Sequence, residues 1–100
     1  MDREKFLASL KTDSPPPSLP LALAALWWDA KGNWSQAHED AQQDNGQAGA
    51  WVHAYLHRKE GDVSNADYWY ARAGKRRPQA ASELEWQEIV DALFRDLPIP

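Results

Sequence analysis

Apolar side chains recur along this chain at spacings of three and four, the period of a helix, and alternating β-branched runs are absent. Residues 2–11 place Phe6, Leu7 and Leu10 on one side, with Asp2 and Glu4 at the start and Lys11 at the end, as a helix dipole favours. Residues 12–18, TDSPPPS, cannot continue that helix; three consecutive prolines favour an extended, stiff connector. Ten of the twelve residues 19–30 are apolar and point all round the axis, so this segment is predicted to be the most buried helix. Ser18 is placed to cap it, and Pro20 is tolerated in its first turn. Gly32 closes it and Asn33 opens the next helix, with Gln36 positioned for a return bond. On that helix Trp34, Ala37 and Ala41 face inward. His38, Glu39, Asp40, Gln42 and Gln43 read as its solvated side.

Residues 46–78 carry the clearest punctuation. Gly61 suits the left-handed position that ends a helix, and Asp62 can cap the helix that follows. Ala66, Tyr70 and Ala73 then share one face. Gly74 closes the helix, Lys75, Arg76 and Arg77 suit the negative end of its dipole, and Pro78 prevents continuation. Beyond it, Ser82 and Glu85 make an S-x-x-E capping box before the stripe Trp86, Ile89, Val90, Leu93 and Leu97, with Phe94 at its edge. The prediction is an all-α fold forming a single domain over residues 1–100.

Two segments also match each other. Gly32-Asn33-x-Ser35-x-Ala37 and Gly61-Asp62-x-Ser64-x-Ala66 repeat at an offset of 29 residues, as do Ala25 and Ala54. Ala66, Tyr70, Ala73 and Pro78 form Ala-x3-aromatic-x2-Ala-x4-Pro, which resembles the second helix of a tetratricopeptide repeat. Ala66-x2-Trp69-Tyr70-x2-Ala73-Gly74 is similar to the Sel-one-like variant of that repeat. The string AWVHAYLHRKEGD resembles short bacterial proteins of helical-repeat type. The likeness implies a short right-handed superhelix of two antiparallel hairpins, 19–44 and 46–74, with the terminal helices as caps. It also implies a non-enzymatic module that binds a protein or peptide.

Composition narrows the alternatives. A net charge of −4 argues against nucleic acid or an anionic membrane as partner. The absence of cysteine excludes disulfides, thiolate metal sites and thiol catalysis. The opening MDREKFLASLK has no apolar secretory core, so the cytoplasm is the default location. No phosphate-binding glycine loop or nucleophile elbow is present.

Three features are candidates for chemistry. His53, His57 and Glu60 share a helical face at a spacing that can hold a metal, with a third ligand sought from His38, Glu39 or Asp62. Histidines at this spacing on a surface helix are ordinarily a solvated pair, so neither metal nor cofactor is assigned. Arg58, Arg72, Lys75, Arg76 and Arg77 concentrate cations suited to a carboxylate or phosphate, against the plainer reading that they pair with Glu60, Asp62 and Asp67. Tyr68, Trp69 and Tyr70 are consecutive and cannot all face inward. The predicted binding surface is therefore His53, His57, Arg58, Trp69 and Arg72, gathered along one groove beside the second hairpin. A small-ligand or metal-binding protein using the same histidine and arginine cluster is the alternative.

Overall fold

The structure is a computed structural model that describes residues 1–96. The terminal Leu97, Pro98 and Pro100, one of them assigned above to the last apolar stripe, lie outside the described residues. Among the described residues the chain is all helical: α1 (Arg3–Ser9), α2 (Leu21–Ala30), α3 (Trp34–Gln43), α4 (Gln47–Lys59), α5 (Val63–Ala73) and α6 (Ser82–Asp96). The molecule measures 34 × 27 × 25 Å. No helix among the described residues is long and apolar enough to cross a membrane.

Local signals explain where the helices begin and end. The side chains of Asp2, Asn33 and Asp62 accept from the backbone N–H groups of Lys5, Gln36 and Asn65. Each satisfies one of the free donors at a helix start. Gln36 makes no return bond; its side-chain amide donates to Asp40 instead, at 3.0 Å. Gly61, at φ +91°, turns the chain out of α4 in the left-handed region, where a Cβ would be strained. Two expected caps are not made. Ser18 lies before the helix with φ +65°, and α2 starts after Pro20 without a side-chain cap. Ser82 is already the first residue of α6, and Glu85 is drawn into the core rather than back to the helix start.

The order of packing follows the chain. α2 pairs with α3 and α4 with α5, while α3 and α2 both lie against α4. α6 covers α4 and α2, and α1 lies on α6. Phe6 of α1 is fully buried, with its ring against Trp86 and Phe94. Arg3 pairs with Asp91 at the rim of this contact.

The central helix is α4, not α2 as the sequence predicts. Every residue from Gly49 to His57 is buried, whereas Leu21 and Ala30 of α2 reach solvent. The reason is packing: α4 is enclosed by α2, α3, α5 and α6, so even its polar positions are covered. α2 has neighbours over less of its circumference, and its apolar ends are exposed. Gly49 makes the entry to α4 possible. A Cβ there would lie 2.2 Å from the carbonyl oxygen of Asp44, so only glycine lets the 43–46 turn lie on the first turn of the helix.

Candidate functional site

Three imidazoles meet between α3 and α4. His53 and His57 are one turn apart on α4 and both are buried. His38 of α3 is half-buried and faces them. The Nε2 atoms of His38 and His53 are 3.0 Å apart. One ring nitrogen from each histidine lies within 4.8 Å of the others. His57 places Nδ1 2.7 Å from Glu60 Oε1.

Two indoles hold the cluster. Trp34 stacks on His38, with centroids 4.9 Å apart, and donates its N–H to the Leu56 carbonyl at 3.1 Å. Trp69 stacks on His53 at 4.0 Å, nearly parallel. Burial pushes the His53 pKa down to about 4, with further lowering from His38 and His57. The His38 pKa is also lowered, first by burial and then by His57, against the opposing pull of Glu60 and Glu39.

The His53 shift has a consequence for stability. Between about pH 4 and about pH 6.5 the unfolded chain binds a proton at His53 that the folded chain does not. The contribution of neutral His53 is therefore complete above about pH 6.5 and disappears as pH falls towards about 4. In chelator, the urea midpoint should drop across that window, and His53→Gln should flatten the drop. Parallel curves for the two proteins would contradict it.

A groove opens at His53. It has a volume of about 170 Å³ and runs between the 44–47 turn, α4 and α5, with Gln42, Gln47, Ala50, Trp69 and Arg72 in its walls. Arg72 sits over the Trp69 ring at 5.2 Å and donates to the Tyr68 hydroxyl at 3.2 Å. It makes no ion pair among the described residues. The aromatic trio is split by helix geometry: Tyr70 is buried, Trp69 half-buried, and Tyr68 is 54% exposed.

The structure thus brings His53, Trp69 and Arg72 together, with His57 immediately behind His53. Arg58 is not part of this groove. Its guanidinium turns away to Glu85 Oε1 at 2.9 Å and to the Ala80 carbonyl. Glu85 is only 1% exposed and also accepts from the Tyr70 hydroxyl at 2.6 Å and the Trp51 N–H at 3.3 Å. A buried carboxylate needs such donors, and Arg58 is the nearest cation that can supply charge as well. Among the remaining cations, Arg77 pairs with Asp67 at 2.8 Å, and Lys75 lies over the Trp51 ring at 4.1 Å.

Two corrections concern residues read as solvated. His53 and His57 do not form an exposed pair, because α4 is covered on that side by α3 and α5. His38 belongs to the inward side of α3. Its signal was present: Trp34, His38 and Ala41 recur at spacings of four and three, the same stripe on which Ala37 lies. Glu85 could have been found similarly, since Glu85, Ile89 and Ala92 fall on one stripe of α6 and all three are buried.

A larger cleft of about 290 Å³ lies elsewhere, where Asp29, Tyr55, Lys59 and Trp86 meet. Three of its polar groups, Asp29, Tyr55 and Lys59, are already committed to one another. Tyr55 donates to Asp29 at 2.6 Å and Lys59 donates to the same carboxylate at 2.9 Å.

Fold and site together define an all-helical protein with an imidazole cluster between two helical hairpins and an aromatic–guanidinium groove beside it. No protein-family model, curated protein or solved structure matches the chain.

Proposed function

We propose that the chain is a non-enzymatic binding module of tetratricopeptide type, its two hairpins forming a short right-handed superhelix that receives a peptide or protein segment. The observation that carries this reading is Arg72. It lies at the rim of a groove, braced by Trp69 and Tyr68, with no acidic partner among the described residues. A guanidinium held against aromatic faces keeps most of its donors free for a planar anion. Trp69 and the exposed Tyr68 offer apolar area next to it. Rigid aromatics beside arginine are typical of the residues that dominate binding energy at protein interfaces. The occupant best matched to this surface is a short segment with a carboxylate beside an apolar side chain.

Selection of a random peptide library on the purified protein tests the reading. Enriched peptides should carry an acidic residue or a free C-terminus and should change tryptophan emission on binding. Arg72→Glu and Trp69→Ala should each weaken them by roughly 30-fold or more, the effect of losing about 2 kcal/mol. Absence of enrichment, or enriched peptides indifferent to both substitutions, would overturn it.

A further inference from the structure

The imidazole cluster has features that peptide binding does not require. We propose that His38, His53 and His57 are the protein ligands of a late first-row divalent cation of the zinc, nickel or copper class, bound between α3 and α4. This assignment does not rest on the peptide-binding reading.

The donor set is the first argument. Three imidazoles offer borderline nitrogen ligands, which suit zinc, nickel and copper, and no thiolate exists in the chain to compete. The spacing is the second. Two nitrogens on a tetrahedral ion at a bond length of ~2.05 Å stand about 3.3 Å apart. His38 and His53 are at 3.0 Å, and one ring nitrogen of each of the three histidines lies within 4.8 Å of the others. In tetrahedral geometry, three protein ligands leave a fourth position for water or an incoming donor.

The surroundings are the third argument. Glu60 accepts from His57 Nδ1, which directs the lone pair of that ring to Nε2. A carboxylate behind a histidine is the outer-shell arrangement that orients metal-binding imidazoles. Among the described residues, His57 Nε2 has no hydrogen-bond partner that an ion would displace. Trp34 and Trp69 clamp His38 and His53 in place, so two ligands are already ordered before an ion arrives. The groove that reaches His53 supplies an entry path.

The plainer account is that the three rings form a stacked, hydrogen-bonded piece of core. The two accounts differ in solution. Protein made without a histidine tag and stripped with EDTA should be titrated calorimetrically with zinc, nickel and copper salts in turn, and with cobalt as an optical probe. The expected result is saturable binding of one equivalent for at least one of them. Four-coordinate cobalt should show intense visible absorption, and the bound metal should raise the thermal midpoint. Loss of a ligand should cost more than the ~10–100-fold that follows loss of an outer-shell partner. His38→Gln is the main variant, because His38 is only half-buried and its replacement leaves α4 intact. Glu60→Gln, at an exposed position, should weaken binding by about 10-fold or more. Melting curves in chelator report whether each variant is folded. Binding of much less than one equivalent, or an affinity unchanged in both folded variants, would overturn the proposal.

Discussion

Replacing Glu85 with leucine should lower the free energy of unfolding by about 3–5 kcal/mol, the cost of breaking a buried ion pair from one side. Leucine is close to glutamate in size, so the cavity is small and electrostatics dominate. The substitution leaves the Tyr70 hydroxyl and the Trp51 N–H without their acceptor in a site where Glu85 was only 1% exposed. It also strands the charge of Arg58, whose side chain is 16% exposed. Arg58→Met should cost about 3 kcal/mol for the converse reason, a carboxylate left without its cation. The double variant Glu85→Leu/Arg58→Met should be less destabilised than the sum of the two, since each substitution removes the charge that the other strands. Urea titrations of the four proteins measure this. Additive losses, or a Glu85→Leu loss below about 1 kcal/mol, would show that the pair is not held as described.

Tyr70→Ala should cost about 3–5 kcal/mol, as expected for removal of a fully buried aromatic ring. Ala66, Tyr70 and Ala73 are all 1% exposed or less, so the face of α5 against α4 is small–large–small. The flanking methyl groups cannot fill the space the ring leaves. Tyr70→Phe divides the effect. It keeps the ring and removes only the hydroxyl that reaches both oxygens of Glu85, at 2.6 and 2.8 Å. Its expected cost is about 1.5–3 kcal/mol, the range for a hydrogen bond to a charged group. Burial and the bond to Glu85 both raise the pKa of this tyrosine, so the hydroxyl stays a donor across the accessible pH range. If denaturation shows equal losses for Phe and Ala, packing contributes nothing at this position and the alignment of α5 on α4 is wrong.

Both predictions rest on one buried anion that the sequence presents as something else. Glu85 stands in an S-x-x-E string that reads as a helix cap. The same residue lies one turn before Ile89 on the inward stripe of α6. Which role it takes depends on whether donors wait opposite that stripe, and those donors come from α4 and α5. Arg58 follows the same logic. Its neighbours along the chain suggested the groove with His53, yet Glu85 across the interface holds it elsewhere. A cation on a helix shoulder goes to the most poorly solvated carboxylate in reach, because the anion gains most there.

The all-helical class, the starts of α3 and α5, and the corner at Gly61 were legible in the chain itself. Asn33 and Asp62 satisfy donors three residues away, and Gly61 adopts a backbone angle that depends on its own missing Cβ. Such interactions are complete within a few residues, so the sequence contains both partners side by side. The centre of the molecule was not legible. Periodicity gives the direction in which each residue leaves its own helix and says nothing about what stands opposite. Composition therefore favoured α2 as the core helix, while the number of neighbours made it α4. His38 has the same cause. Its stripe on α3 was visible, but the chemistry exists only because α3 lays that stripe against His53 and His57 of α4, residues 15 and 19 positions further along. The helix starts at Asn33 and Asp62 and the corner at Gly61 are short-range and belong to the sequence; the imidazole cluster and the buried carboxylate are contacts between helices, and only the packing of those helices creates them.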